Sequence, residues 1–505
     1  MMRSPNLGGT TVQLFLKGID GAGRSKRGVT HEIRIIGGVA IAFALLVVAG
    51  FPVAAAIEIV DLGSLGGQSS VAIDVGERGH VTGVSLLADG TDHAFLWTPD
   101  SGMVDLGAPR CCYSLGRAVN SLGQVVGDTG DPVQATLWSD GTARILGTLS
   151  GGGSSQALDI NDLGQVVGWS DTVDSAGIPG IHAFLWSAES GMTDLGSLNG
   201  LNTEAFTINN VGEVMGGVFD GPFPSAAFFW TPEGGMVNIG DLGGGFTSAF
   251  GMNELGQIAG TSATVAGCCH PFLWTPGAGM TDLGTLGSNY GVAAAVNNLG
   301  HVAGESDTAD GLGHTFLWRD GTMTDLGTLG GRNSFATAIN DFDQVAGTSE
   351  IPSTAQHAFV WMEQTGMLDL GTLGGGGLTT VNAMNNAGQI VGFSSRADGS
   401  SDATLWNVGP PPPPPTPEER IRALSDSVEA LLMNGKLNQG EARSLTQQLA
   451  SALHAIGRQE PSVAVDELHA FLNHLDALEQ AGQLSSTDAQ PIADATNRLI
   501  QDLGG

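Results

Sequence analysis

From residue 57 to residue 409 the apolar and polar positions alternate in short β-type runs, and one ordered set of runs recurs eight times. Each copy predicts a strand of small residues, a glycine turn, a Val/Ile strand, an aromatic strand ending in tryptophan, and a fourth strand of the form M-x-D-L-G, as at Met192–Gly196 and Met280–Gly284. The turn begins at Gly76, Asn120, Asn161, Asn209, Asn253, Asn297, Asn340 and Asn385, at intervals of 41 to 48 residues. Such a period suits four short strands per copy. Asn and Gly both tolerate left-handed backbone, and the third residue after each start is Gly in seven copies and Asp343 in the other. Five residues after the start stands Val or Ile, and two later Gly, in all eight copies, which predicts a closely approached second strand. The aromatic strands end at Trp97, Trp138, Trp186, Trp230, Trp274, Trp318, Trp361 and Trp406.

The strand ahead of each turn carries small residues such as Ala205, Ala249, Ala293 and Ala336, which suits an innermost strand crowding a central channel with its small side chains toward the axis. The last copy stops at A-T-L-W-N-V-G, residues 403 to 409, without a fourth strand, whereas I-E-I-V-D-L-G at 57 to 63 is a spare one. The two fragments complete one blade. The expected fold is therefore an all-β repeat domain, an eight-bladed β-propeller closed by the N-terminal strand so that no sheet edge is left exposed.

The pattern changes on both sides of this domain. Residues 1 to 56 combine a basic cluster with an apolar block, Ile35 to Val53, ending in Ala54-Ala55-Ala56. These features predict a signal peptide cleaved after Ala56, with an uncleaved membrane anchor as the alternative, and place the chain at the cell surface or in the secreted fraction. Prolines 410 to 415 with Pro417 form a stiff linker over 410 to 417. From 418 to 505 the period becomes helical, with Ile421, Leu424, Val428, Leu431 and Leu432 on one stripe. The stretch from Ala430 aligns with that from Ala477, an offset of 47, so two hairpins turning at Gly435 and Gly482 should pack as a four-helix domain.

Motifs in order carry two resemblances. H-A-F-L-W with D-L-G-x-L-G-G and I-N-x-x-G-Q-V-V-G resembles the HAF family of extracellular repeats over residues 57 to 409, which implies export and repetition and no particular activity. Residues 467 to 486, E-L-H-A-F-L-N-H-L-D-A-L-E-Q-A-G-Q-L-S-S, resemble the FIMAH domain, a helical module of exported bacterial proteins that implies no chemistry.

Composition narrows the function. With 51 acidic against 19 basic residues and a net charge of −32, the chain repels phosphate backbones and anionic lipid, so a nucleic-acid partner is excluded. No lysine falls within residues 57 to 409, which rules out a phosphate-binding P-loop there, and no nucleophile elbow, H-E-x-x-H or C-x-x-C occurs. The histidines His93, His182, His270, His314 and His357 recur on the third strand but are Gln134, Ala226 and Asp402 in other copies. They are expected to bond to main chain supplied by a neighbouring blade, and His454, His469 and His474 to be structural in the same way. Cys111, Cys112, Cys268 and Cys269 are disulfide candidates in an oxidising compartment, although a bridge between sequence neighbours needs a distorted backbone.

The loops between second and third strands vary most and are rich in Asp. Asp89, Asp171, Asp307, Asp310 and Asp398 are thus the candidate ligand-binding residues, with Asp307 and Asp310 also candidates for calcium, the alternative being plain Asp-Gly turns. The expected function is a non-enzymatic scaffold that binds an extracellular protein or glycan. The alternative is an extracellular propeller hydrolase or lyase acting on polysaccharide, with Asp74 and Asp159, which replace small residues on the inner strand, as the acids able to converge.

Overall fold

The computed structural model describes residues 57–110, 112–173, 177–410 and 416–504. The predicted signal peptide or anchor, Cys111 and most of the proline run lie outside the described residues. The chain divides into two compact units at Gly409/Pro410.

In the first unit, 32 strands form five separate four-stranded sheets and one twelve-stranded sheet. The latter consists of three further four-stranded sets joined by single parallel bridges, Ser69 with Ser401 and Gln356 with Leu378. Each repeat supplies one antiparallel set in chain order, as Gly66–Val75, Val81–Leu87, Asp92–Thr98 and Gly102–Asp105 do in the first. The last set takes its fourth strand from the other end of the chain: Glu58–Gly63 runs antiparallel to Ser401–Asn407, with Ile59 opposite Trp406.

The repeated glycines have a direct cause. Every first strand is bulged at one place, between Ala72 and Asp74 in the first repeat and between Ala293 and Ala295 in the sixth. The bulge pushes a carbonyl against the second strand. A Cβ on Gly83 would stand 2.0 Å from the Val71 carbonyl oxygen, and one on Gly127, Gly168 or Gly304 would be 1.8–1.9 Å from its equivalent. No side chain fits there.

The core lies between consecutive sheets. Val167, Ala183 and Leu195 of the third repeat pack with Ala205, Ile208, Val214 and Phe228 of the fourth, and Leu405 and Ala403 of the eighth pack with Ala72, Phe95 and Trp97 of the first. Ala205, Ala249 and Ala293 are therefore buried between sheets, which corrects the expectation that they face the axis. Two residues nearer the turn, at the place held by Asp74 and Asp159 in the first and third repeats, the inner strands come close in the fifth, where a Cβ on Gly251 would stand 3.1 Å from Cα of Ala295 in the next inner strand.

Two polar devices join successive repeats. A buried hydroxyl on the inner strand accepts the N–H of the preceding aromatic strand and donates to the carbonyl of the preceding D-L-G turn, as Ser114 does with Ala94 and Gly107 at 2.9 Å each. In addition, the turn asparagine donates Nδ2 to the main-chain carbonyl at the same place in the next turn, from Asn120 to Asn161 at 3.1 Å and so on around to Asn340 to Asn385 at 3.3 Å. Asn385 then donates to the carbonyl of Gly76 at 3.0 Å, joining the last repeat to the first.

The second unit is all helical: α1 Pro417–Met433, α2 Gln439–Gly457, α3 Pro461–Gln480 and α4 Ser486–Asp502. Its internal repeat is visible in the caps. Asn438 and Ser485, 47 apart, each cap a helix through the N–H of the residue three on, and Gly435 and Gly482 take φ of +69° and +70°. Leu424, Val428, Leu445, Leu449, Leu468, Phe471, Leu475 and Leu499 fill the centre.

Candidate functional site

Antiparallel order puts the asparagine turns and the hairpins between third and fourth strands at one end of each sheet. The loops between second and third strands and the D-L-G connections lie at the other. The candidate aspartates belong to the second end. Asp89, Asp310 and Asp398 each begin an Asp-Gly turn, with Gly90, Gly311 and Gly399 at φ of +78° to +87°. Their carboxylates are used within these turns: Asp89 accepts the Thr91 hydroxyl at 2.6 Å, Asp398 the Ser400 hydroxyl at 2.6 Å and Asp310 the Thr308 hydroxyl at 2.5 Å. Those bonds hold all three below the usual carboxylate range. Asp171 accepts the Ser154 N–H at 3.1 Å. Beside Asp307, burial and the Asp307 charge push Glu305 up to about 7, a group the sequence reading missed. Among the described residues, no group of three or more His, Cys, Asp or Glu is placed to hold a metal ion.

The repeated histidines have a partner different from the one expected. In each case Nδ1 meets the Asp of the fourth strand of the same sheet: His93–Asp105 2.8 Å, His182–Asp194 2.9 Å, His270–Asp282 3.0 Å, His314–Asp325 3.0 Å and His357–Asp369 2.8 Å. The same Asp accepts the N–H of the glycine two residues on, as Gly107 donates to Asp105 at 2.7 Å. The pair locks the third strand to the D-L-G turn. In two of the three sheets that lack the histidine the aspartate is lost too, at Gln134 with Ile145 and at Ala226 with Asn238; in the last sheet Asp61 remains and Arg396 bridges it to Asp402.

At the opposite end the asparagine turns follow one another from repeat to repeat. Asp74 and Asp159 lie just below them and are half-buried. Asp74 accepts the N–H of Val75 and, across to the next repeat, that of Val119, both at 2.8 Å. Asp159 accepts Ile160 N–H at 2.8 Å and Ile208 N–H at 2.9 Å. Burial nonetheless raises both carboxyls, Asp159 to about 7 with the charges of Asp74 and Glu254 contributing. The residue after each turn start reaches the next repeat: Ser121 N–H donates to Asp162, Asp162 N–H to Asn210, Asn210 N–H to Glu254, and Glu254 N–H to Asn298, all at 2.8–2.9 Å. Carboxylates thus stand in alternate repeats, Glu77, Asp162, Glu254 and Asp341. Clefts of about 190 and 170 Å³ lie among them.

Cys112 is exposed with φ of +73°, and Cys269 lies half-buried on the strand Gly267–Thr275. No helix among the described residues is long and apolar enough to cross a membrane.

With this geometry in place, three comparisons add the following. The FIMAH domain family matches residues 421–501, in the helical unit. No curated protein sequence matches the chain. Among solved structures, the propeller domain of the Trilobed protease from Pyrococcus furiosus is 9% identical, with 60% of this chain and 98% of that one covered and a TM-score of 0.39. A gluconolactonase from Xanthomonas campestris is 12% identical over 70% of this chain and 90% of its own at 0.30. The BP39L lectin from Burkholderia pseudomallei is 11% identical over 59% and 97% at 0.30. Likeness at this level is compatible with binding and with hydrolysis and argues for neither.

Proposed function

We propose that the chain is an exported binding scaffold, in which residues 57–409 close into an eight-bladed propeller of HAF-type repeats and present the loops between second and third strands to an extracellular glycan or protein. Support for closure comes from the pairing of Glu58–Gly63 with Ser401–Asn407 and from the bond between Asn385 and Gly76. The observation that carries the non-enzymatic reading is the state of Asp74 and Asp159. Each oxygen of both accepts one main-chain N–H, and one of the two bonds reaches the next repeat, so these acids have a part in joining repeats that folding alone accounts for. The helical domain would serve as a second attachment, and the cysteine pairs suit an oxidising compartment.

A panel of immobilised polysaccharides, scored for both retention and released product, tests this reading. Retention without product should survive Asp74→Ala with Asp159→Ala, and should weaken in Asp307→Asn with Asp310→Asn if that loop is used; repeating it with a calcium chelator tests calcium at the same loop. Sustained product release that vanishes in the Asp74, Asp159 double variant would overturn the scaffold in favour of a hydrolase or lyase. N-terminal sequencing of exported protein should begin at Ile57.

A further inference from the structure

The asparagine turns carry a feature that folding does not require. The third residue of the turn is a large apolar side chain in six consecutive repeats, Leu122, Leu163, Val211, Leu255, Leu299 and Phe342, and every one is between 53% and 69% exposed. The turn uses only the main chain at this place, where the N–H of Leu122, Leu255 or Phe342 donates to the turn asparagine at 3.0–3.1 Å. Ala387 makes the same bond at 3.1 Å in the last repeat, and Arg78 occupies the place in the first. Six exposed apolar tips at one end of the repeat domain are an unpartnered surface of that domain, since single exposed leucines are ordinary but a recurrent set is not.

The surroundings identify what it would take. The tips border a mouth where Glu77, Asp162, Glu254 and Asp341 alternate with serine and asparagine. Burial and, beyond it, the charges of Asp341 and Asp162 raise Glu77, so these carboxylates repel one another and favour a cation between them, with Arg78 the one cation among the eight turn tips. Between Leu122 and Leu163 the collar also opens into a cleft of about 380 Å³, walled by Leu137 and Trp186, with the Arg144 guanidinium 4.8 Å from the centre of the Trp186 ring. An apolar collar with an anchoring cleft fits apolar side chains, and an acidic centre fits a cation.

We propose that this end of the repeat domain docks a polypeptide segment of another protein in which lysine or arginine is flanked by large apolar residues, the cation entering the carboxylate mouth and the apolar side chains lying on the collar. A second copy of the chain is disfavoured because two acidic mouths would meet. Anionic lipid is disfavoured for the same reason. This surface lies at the opposite end from the variable loops, so the inference goes beyond the scaffold reading and stands or falls separately from it.

The test measures fluorescence anisotropy of a labelled synthetic peptide alternating Leu and Lys against the full chain, beside peptides with Lys replaced by Glu or Leu replaced by Ser. Because any acidic protein attracts a cationic peptide, the variants decide. Leu163→Ser with Leu255→Ser and Leu299→Ser should weaken binding by roughly tenfold or more while melting stays unchanged, because these side chains are already in water. Leu255→Lys should act in the same direction. Glu254→Gln with Asp341→Asn should weaken binding and flatten its salt dependence. The proposal is overturned if the Leu/Lys peptide does not bind, if the Glu peptide binds as well, or if collar and mouth variants bind like the parent. It is also overturned if the collar variants instead abolish self-association or adsorption to phosphatidylglycerol vesicles. Glycan retention by the loop end would be unaffected by any of these outcomes.

Discussion

Replacing Asp159 by Ala should remove a pH-dependent part of the stability of the repeat domain. Its carboxyl is raised from an ordinary 3.8 to about 7 in the folded chain, so between these values the native state holds a proton that the unfolded state has released. Stability from this group is fully present below about pH 4, falls as pH rises toward about 7, and is level above that. A rise of about three pKa units corresponds to roughly 4 kcal/mol, at about 1.4 kcal/mol per unit. Asp74 is raised by the same cause and adds to the slope. Alanine fits the site, because Ala118, Ala295, Ala338 and Ala383 stand at the same place in other repeats. The assay is urea unfolding between pH 4 and 8 followed by tryptophan fluorescence. All nine tryptophans lie between residues 97 and 406, so the signal reports the repeat domain and is silent about the helices. The stability difference between parent and Asp159→Ala should shift by about 4 kcal/mol across that window, in favour of the variant at high pH. Parallel profiles for the two proteins would refute the assignment of this proton to Asp159.

Other consequences can be checked with the same measurement. Gly83→Ala should prevent the first sheet from forming as it stands, because its Cβ would fall 2.0 Å from a carbonyl oxygen; soluble protein with an unchanged melting temperature would contradict the bulge argument. Gly123→Asp should raise the melting temperature. His80 Nδ1 is buried without a hydrogen-bond partner beside Gly123, whereas His301 at the equivalent place bonds Asp343 at 2.8 Å, and Asp343 tolerates φ of +58°. The gain expected for one such bond is about 1 kcal/mol. Deleting residues 57–67 should leave Ser401–Asn407 with an open edge and cause aggregation or a lower melting temperature, while deleting 410–505 should not; a monomeric 57–67 deletion with parental melting would contradict a structural role for that strand.

The sequence was most informative wherever a constraint acts within one repeat. The second-strand glycines, the tryptophan strands, the spare strand at 57 to 63 and the helical repeat with its offset of 47 are local or periodic, and periodicity reveals them. Constraints between repeats were hidden because one side of them is main chain. Asp159 reads as a stray acid on an inner strand until the Ile208 N–H is found 2.9 Å away. The histidine pairs were partly legible: His93 and Asp105 are both motif residues, and the joint absence of His and Asp in the second and fourth repeats was open to inspection. The turn leucine was visible as a repeated letter, but alternation does not distinguish a buried tip from an exposed one.

The exceptions to the repeat are more instructive than its regularities, because a change in one repeat is answered in its neighbour. In the fifth repeat Pro271 stands where other repeats have an N–H donor, and the sixth has Gly291 where most others have the accepting Ser or Thr; a Cβ there would come within 3.0 Å of the proline ring. In the sixth, His301 replaces the Gln or Glu that elsewhere accepts from the turn asparagine, and Asp343 of the seventh takes over that role at 2.8 Å, which explains the only turn lacking its glycine. Neither exchange makes sense for an isolated repeat. Both are what selection on interfaces between sheets would leave, because an unmet donor or acceptor buried there costs about 1–3 kcal/mol whichever repeat it belongs to. The same reasoning isolates the collar. Leu122, Leu163, Leu255 and Leu299 satisfy no neighbour and fill no core, so the pressure that keeps them apolar lies outside the folded chain.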